Sequence, residues 1–376
     1  MKPNFENVRT DSARIDSEKL AGWLATLEMG ETYTGREDCW NAVRTRLQAG
    51  ETNVSNHFAG RGEAIRMSMA GLVSGIPILL MGPPGTAKSA IVRQIARQFG
   101  VTDENYFEYL LTNHTMPEEV FGGIDFEALT RDHKFKRNTK GKLPRAEIAF
   151  LDEVFRGGSH ILNTLLTIIN ERQYDCGDGP KDVPLLGLIG ASNFGPAEEA
   201  LEAFFDRFPI RVWVRPLLEG GQFPAQQWTK ATGPQQLLKK SMRLAEESLT
   251  HQRDAPSPPT CTNDLRFARY YIHSQMAITW AGDPSKSQRY MEFVTNFFTL
   301  QEGIGSLHIS DRAFGQLWNL ACTLDLLSGR GLGEGSSTVT PGVYEVFRHV
   351  ARSSEGAGRC RRVIETRSSE GEYLGQ

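Results

Sequence analysis

A loop of glycine, proline and small polar residues ends in a lysine and a serine, in the segment GPPGTAKS at residues 82–89. It lies directly between a short apolar run and an amphipathic segment, so we predict that it connects a strand to a helix. Main-chain amides and a helix N-terminus in this position bind phosphate. Lys88 would neutralise the terminal phosphates, and Ser89 would hold Mg²⁺ through its hydroxyl. The predicted ATP-binding residues are Gly82, Pro83, Pro84, Gly85, Thr86, Ala87, Lys88 and Ser89.

One position of this loop departs from the commonest pattern, which has glycine where this chain has Ala87. If this residue begins the helix, its φ angle is negative, and an alanine is accommodated there without strain. We therefore expect no backbone strain at Ala87.

An acidic pair follows another apolar run, in the segment IAFLDE at residues 148–153. Asp152, at the tip of the predicted strand, can bind Mg²⁺ through water, and Glu153 can polarise an attacking water. On its own, such a pair is as typical of a solvated turn as of a catalytic site. Because a phosphate loop precedes it in the chain, we interpret the pair as catalytic.

Three further polar residues follow predicted elements and could contact a transferring phosphoryl group. Asn193 comes after the apolar run 185–191 and could hydrogen-bond the γ-phosphate or the attacking water. Arg207, in FDRF, and Arg312, in SDRAF, carry guanidinium groups that could stabilise developing charge. An isolated arginine is more typical of a surface salt bridge, so both assignments depend on the other motifs.

The elements that must position these residues alternate between short apolar runs and amphipathic segments. This pattern predicts an α/β fold with a largely parallel sheet. The helices that matter most are predicted at 87–99 and at 159–172, the second with Ser159 as its N-cap. The predicted strands cover 76–81, 106–111, 148–151, 185–191 and 210–214.

The rest of the chain is predicted to be mainly helical. Residues 1–53 are interpreted as a helical N-terminal extension, with a partner-docking arm as the alternative, and they precede a core at 54–215. Residues 216–306 form a helical linker region, and 307–352 a helical lid whose helices begin at Ser310 and at Pro341. The polar segment 353–376 is predicted to be a flexible or peripherally docked tail.

Composition narrows the classes of protein that this chain could be. Of its 376 residues, 42 are Lys or Arg and 45 are Asp or Glu, a formal net charge of −3 that argues against a nucleic-acid partner. No apolar run approaches the roughly 18 residues of a membrane span. The polar N-terminus lacks an apolar signal segment, and the five scattered cysteines form no disulfide pattern, so we expect a cytoplasmic location.

With these motifs in this order, the chain resembles the AAA+ ATPases, within them the MoxR group, and most closely its RavA-like branch. The resemblance covers residues 57–215 strongly and 300–335 more loosely. It is carried by the strings GPPGTAKS (82–89), PEEVFG (117–122), AEIAFLDEVFRGGSHILNTLLTIINERQ (146–173), ASN (191–193), FFDRF (204–208), SDRAF (310–314) and LLSGR (326–330).

The resemblance implies a P-loop NTPase (AAA+) αβα core with a helical linker and a small α-helical lid domain. It implies a homo-oligomeric ring, usually a hexamer, that hydrolyses ATP with Mg²⁺ at subunit interfaces. An insertion in the second core helix would occupy about 121–145. Its basic run is typical of a solvated face, with a loop that grips an acidic partner as the alternative. The implied roles are Walker A for Lys88 and Ser89, Walker B for Asp152 and Glu153, sensor 1 for Asn193, arginine finger for Arg207 and sensor 2 for Arg312.

Three functions fit these features. The first is a chaperone-like ATPase that remodels or assembles a protein client together with a von Willebrand factor A partner. The second is a nucleic-acid motor or helicase-type subunit, for which only the basic run at 131–145 argues. The third is a nucleotide-binding assembly scaffold with low turnover, which the intact acidic pair disfavours.

Overall fold

The computed structural model describes residues 36–133, 135–177, 179–195, 201–216, 260–281, 309–329, 341–351 and 354–369. Residues 1–35 of the predicted extension and most of the predicted linker region, at 217–259 and 282–306, lie outside these ranges. Within the described ranges, every helix is too short or too polar to cross a membrane.

The centre of the molecule is a five-stranded parallel sheet with the order β2-β3-β6-β1-β7. Its strands are β1 (Ile78–Met81), β2 (Tyr106–Leu110), β3 (Ile148–Asp152), β6 (Gly187–Ser192) and β7 (Ile210–Trp213). A separate antiparallel hairpin consists of β4 (Gln173–Asp175) and β5 (Pro180–Asp182). All five predicted strands are therefore present, and they form a single parallel sheet.

Eleven helices are seen in the described ranges, together with 3₁₀ turns at Leu143–Arg145 and Val154–Arg156. Those in the first part of the chain are α1 (Arg36–His57), α2 (Gly62–Ser74), α3 (Lys88–Gln98), α4 (Pro117–Phe121), α5 (Phe126–Asp132), α6 (Ser159–Glu171) and α7 (Glu202–Phe205). Those later in the chain are α8 (Thr262–Ala281), α9 (Asp311–Leu327), α10 (Pro341–Phe347) and α11 (Ser354–Ser369).

The sheet is covered on both faces, which explains why its central strands carry no charged or polar side chain before their carboxyl ends. In β1, Ile78 and Leu80 belong to one buried cluster, whereas Leu79 and Met81 belong to another. Since successive side chains of a strand point to opposite faces, the two clusters lie on opposite sides of the sheet. The result is a three-layer αβα arrangement in which the carboxyl ends of the strands meet at one edge.

The helices of the predicted lid pack on α1 and α2, beside the sheet. Arg66 of α2 donates to Glu345 of α10 at 2.7 Å, and Gln48 of α1 donates to the carbonyl of Leu327 at 2.6 Å. Ser310 is the N-cap of α9, as predicted, because its Oγ accepts a hydrogen bond from the amide of Ala313. The predicted start of α10 at Pro341 is also confirmed.

The predicted N-cap of α6 is wrong by one residue. The helix begins at Ser159, and its N-cap is Gly158, whose extended backbone (φ −61°, ψ 152°) places it just outside the helix. The cap makes no side-chain hydrogen bond, since glycine has none to offer. The glycine pair before the helix therefore shifts its start from the position that the serine suggested.

Residues 354–369 form a helix where the sequence predicted a flexible or peripherally docked tail. Cys360 is fully buried, and Ile364 is 1% exposed, both in the larger of the two apolar clusters. Few apolar residues occur in this segment, but these two, four positions apart, lie on the same face of α11. With the partly buried Ala357, this narrow apolar stripe packs the helix against the core.

Candidate nucleotide-binding site

The glycine-rich loop connects β1 to α3 at the carboxyl edge of the sheet, as predicted. Gly82 is required there, because an added Cβ would lie 2.2 Å from the carbonyl oxygen of Val214. The amide of Gly82 donates to the carbonyl of Ser192 at the end of β6, at 3.1 Å. The start of the loop is thus fixed between two neighbouring strands.

Ala87 does not adopt the predicted helical conformation. It is the N-cap of α3 and has φ 68° and ψ 20°, in the left-handed region. The helix begins one residue later, at Lys88. The left-handed backbone of Ala87 therefore forms the turn between the loop and the helix. This geometry explains why glycine is the commonest residue there, since the left-handed region is strained for residues with a Cβ.

Lys88 is buried within the loop that it completes. Its ammonium group donates to the carbonyls of Gly82 and Pro83, at 2.7 and 3.1 Å, and to Oδ1 of Asn193 at 2.9 Å. Burial lowers the pKa of Lys88, while the charges of Asp152 and Glu153 act in the opposite direction. The lysine is therefore held at the point where the phosphate chain of a nucleotide would lie.

Ser89 and Asp152 form the second half of the site. Ser89 Oγ donates to Asp152 Oδ2 at 2.9 Å, which joins the first turn of α3 to the end of β3. Hydroxyl and carboxylate oxygens are the ligands that Mg²⁺ prefers, usually with several waters. The two predicted metal ligands thus lie side by side and fit this ion.

Glu153 lies next to this pair with its carboxylate held from two sides. Its backbone is in the left-handed region (φ 51°), and its amide donates to Asp152 Oδ1 at 3.0 Å. Asn193 Nδ2 donates to Glu153 Oε1, and Arg156 Nε lies 3.6 Å from Oε2. Asn193 thereby bridges Lys88 and Glu153, so the structure brings the predicted sensor 1 residue to both motifs.

Arg207 and Arg312 are near enough for their charges to repel each other. Within the described residues, neither side chain hydrogen-bonds the phosphate loop or the acidic pair. The pKa of Arg207 is lowered, first by burial and then by the charge of Arg312, with Asp206 acting in the opposite direction. Arg207 Nε is buried without a hydrogen-bond partner in the described part of the chain. Arg312 Nη1 donates to Asn170 Oδ1 of α6 at 3.3 Å. The two predicted arginines thus form a cationic pair where α7 meets the start of α9.

Two further residues, one beside the acidic pair and one beside α7, were not identified from the sequence. Arg156 contacts Glu153. Its position three residues after the acidic pair, in the string DEVFRG, is the sequence feature that could have identified it. Arg211, a charged residue inside the apolar strand β7, is only 4% exposed. The charge of Arg211 within an apolar strand could have identified it, because charged residues are rarely buried without partners.

The predicted insertion contains α5 and a loop that folds back on it through a bridge between Ile124 and Arg137. Lys134 lies outside the described residues. Four members of the basic run are already engaged nearby: Arg131 with Glu127, Arg137 with the carbonyl of Gly122, Lys142 with the carbonyl of Glu119, and Arg145 with Thr139. Much of this charge is therefore used in holding the insertion together.

The strand order, the phosphate loop and the acidic pair at the end of β3 define a P-loop nucleotide-binding protein of the AAA+ class. A family model described as the MoxR domain in the MoxR-vWA-beta-propeller ternary systems matches residues 45–238, just over half of the chain. The chain therefore belongs to the MoxR family of AAA+ ATPases. Its assignment to the RavA-like branch stays a prediction.

Similar proteins are found in Methanocaldococcus jannaschii and in a virus. Two uncharacterized proteins of Methanocaldococcus jannaschii are 44% and 45% identical over 173 and 162 residues, which are 46% and 43% of this chain and 45% and 43% of theirs. A structural protein of Acidianus two-tailed virus is 31% identical over 157 residues, 41% of this chain and 25% of its own. These matches span less than half the length of each relative.

One solved structure supports the fold over most of the chain. It is a Cytophaga hutchinsonii protein described as a candidate ATPase, with a TM-score of 0.58 and 18% sequence identity. The match covers 88% of this chain and 95% of that protein. At this identity the likeness concerns the fold alone.

Proposed function

We propose that this protein hydrolyses ATP with Mg²⁺ and uses the energy to remodel or assemble a protein client. The observation that carries the proposal is the hydrogen bond of 2.9 Å between Ser89 and Asp152, beside a lysine and a glutamate that share one asparagine. These are the groups that phosphoryl transfer requires, brought together from three separate strand ends.

The residues of the chain have distinct tasks in this reaction. The loop amides and Lys88 bind the phosphates, and Lys88 neutralises charge that develops on them. Ser89 and, through water, Asp152 would hold Mg²⁺, which when bound neutralises charge on the β- and γ-phosphates. Glu153 Oε1 and Asn193 orient the attacking water, and the carboxylate accepts its proton.

Arg207 and Arg312 are proposed to act on the nucleotide of a neighbouring subunit. The partly buried guanidinium of Arg207, whose Nε has no hydrogen-bond partner in the described part of the chain, lies beside a second cation and is suited to an anionic group supplied from outside the chain. This arrangement supports a homo-oligomeric ring, with the hexamer as the proposed form, in which each site is completed by the next subunit. In this proposal Arg312, the predicted sensor 2, acts from the same side as Arg207.

The client is proposed to be a protein, and a von Willebrand factor A domain protein is proposed as the partner. The description of the matched family, which places such MoxR domains in ternary systems with vWA and beta-propeller proteins, supports this choice. The insertion also exposes Phe126, Leu129 and Phe135, which are suited to contact with apolar protein segments.

The proposal is tested by replacing Glu153 with glutamine. We expect turnover of ATP to fall by about 10²–10⁴-fold, because a positioned general base contributes an effect of that size. Binding of a fluorescent ATP analogue should persist, since the phosphate loop is unchanged. Phosphate release and nucleotide fluorescence are the two measurements.

Glu104→Gln is the matched control, because Glu104 is exposed and distant in sequence from every motif. It should hydrolyse ATP at the wild-type rate. A wild type that binds the analogue but releases no more phosphate than a protein-free blank would contradict the proposed function and would favour a nucleotide-binding scaffold. Wild-type turnover that Glu153→Gln leaves unchanged would contradict the assignment of Glu153 as the base.

A further inference from the structure

A buried arginine connects α7, the helix that precedes Arg207, to the lid. Arg211 lies in β7, the edge strand next to β1, and is 4% exposed. Burying a charged group is costly unless its hydrogen bonds are satisfied. The partners of Arg211 therefore show which parts of the molecule it holds together.

The guanidinium of Arg211 bridges two segments that are far apart in the chain. Nη1 donates to the carbonyl of Val350 at 2.9 Å, and Nη2 donates to the carbonyl of Phe205 at 3.2 Å. The guanidinium also lies over the ring of Phe205, 4.2 Å from its centroid. In addition, the amide of Arg211 donates to the carbonyl of His349 at 2.7 Å.

Phe205 is the last residue of α7 and lies two positions before Arg207. Between them, Asp206 makes a second link to the lid, because Ser310 Oγ donates to Asp206 Oδ2 at 2.7 Å. Residues 205 and 206 are thus held by the lid at two points, one after α10 and one before α9. The backbone that leads to Arg207 cannot move independently of both.

The same part of the lid is also tied to α2 of the core. His349 Nε2 lies 3.3 Å from Glu63 in the first turn of α2, and Arg66 of that helix pairs with Glu345. A displacement of the lid relative to α2 would therefore move the carbonyl of Val350 and the hydroxyl of Ser310. Both groups are linked to the end of α7, Val350 through Arg211 and Ser310 through Asp206.

We propose that Arg211 is a positioning residue for Arg207. Together with the Ser310–Asp206 hydrogen bond, it couples the position of the lid on one subunit to the guanidinium offered to the next. The inference rests on the proposed action of Arg207 on a neighbouring subunit. It assigns a task to a residue that touches neither nucleotide nor metal.

The test uses mixtures of inactive variants. Glu153→Gln has a defective site but an intact arginine, whereas Arg207→Ala has an intact site but lacks the arginine, so a mixture of the two should hydrolyse ATP. Arg211→Met alone should lose turnover by about 10-fold or more, because an arginine finger contributes about 10³–10⁵-fold. Its own site should bind a fluorescent ATP analogue within about twofold of the wild-type affinity, about 0.4 kcal/mol.

The expected result is that Glu153→Gln restores turnover to Arg211→Met, as it does to Arg207→Ala. Arg211→Lys should be intermediate, because an ammonium cannot make two planar hydrogen bonds and stack on a ring at once. A merely structural defect would impair the subunit's own site, and mixing would not restore turnover. That outcome overturns the inference if the Arg207→Ala mixture is active; if that mixture is also inactive, the action of Arg207 in trans is wrong as well.

A second pair of variants avoids the buried position. Ser310→Asp keeps an N-cap for α9 but places a negative charge beside Asp206, whereas Ser310→Asn keeps both a cap and a donor. Ser310→Asp should lose turnover and regain it on mixing with Glu153→Gln, and Ser310→Asn should remain active. If the single variants Ser310→Asp and Arg211→Met were both fully active, the proposed coupling would be overturned.

Discussion

At the scale of the residue, the phosphate loop contains both a glycine and an alanine with positive φ. Gly85 has φ 78° and Ala87 has φ 68°. The sequence correctly located the loop, but it assigned Ala87 to an unstrained helical position. The reason is that the conformation of the residue before α3 depends on where the loop must deliver Lys88, which no local pattern reveals.

The strain at Ala87 can be measured with a matched pair of variants. Ala87→Gly should stabilise the protein by up to about 1 kcal/mol, because relief of about 1–2 kcal/mol of left-handed strain exceeds the added entropy of the unfolded chain. Gly85→Ala should destabilise it by about 1 kcal/mol, since no neighbouring atom is close enough to add a clash. Urea unfolding monitors both, and destabilisation by Ala87→Gly would contradict the assignment.

At the scale of the element, the strands were predictable and the last helix was not. Each central strand is a continuous apolar run, because both of its faces are buried, and such a run is visible in the sequence. In α11, by contrast, few apolar residues contact the core, and the rest of the segment is polar. Its docking depends on a surface formed by other parts of the chain.

The docking of α11 predicts the reactivity of Cys360. Burial raises the pKa of this thiol to about 11, so both its low exposure and its protonation protect it from alkylation. Iodoacetamide at pH 8 should modify Cys176, which is partly exposed, well before Cys360. Peptide mass spectrometry measures both rates, and equal rates would show that residues 354–369 leave the core in solution.

At the scale of the whole molecule, the charge distribution favours a protein client over a nucleic acid. The net charge is −3, and several basic residues of the insertion are hydrogen-bonded or ion-paired within it. Few of them are therefore available to displace counterions from a phosphate backbone.

We accordingly expect no gel shift of single- or double-stranded DNA at physiological salt. The control is Lys140→Glu, which replaces an exposed charge of the insertion and should leave this result unchanged. Salt-sensitive binding in the wild type that Lys140→Glu weakens would instead support a nucleic-acid motor.

Assembly is the second prediction at this scale. If the arginine pair completes a neighbouring site, ATP should stabilise the ring, and Glu153→Gln with ATP should sediment as a larger particle than the nucleotide-free protein. Analytical ultracentrifugation and electron microscopy measure this difference. Particles of monomer size under both conditions would contradict a site shared between subunits.

The sequence by itself determined the phosphate loop, the acidic pair, the sheet and, through the order of these motifs, the family. These features are local, since each depends on residue types and spacing within a single strand, turn or helix. The tertiary structure alone decided that Asn193 joins Lys88 to Glu153, that Arg207 lies beside Arg312, and that α11 is docked. Those relations link residues from about forty to more than a hundred positions apart, or depend on a surface built by several elements. Only packing against the rest of the chain brings them together.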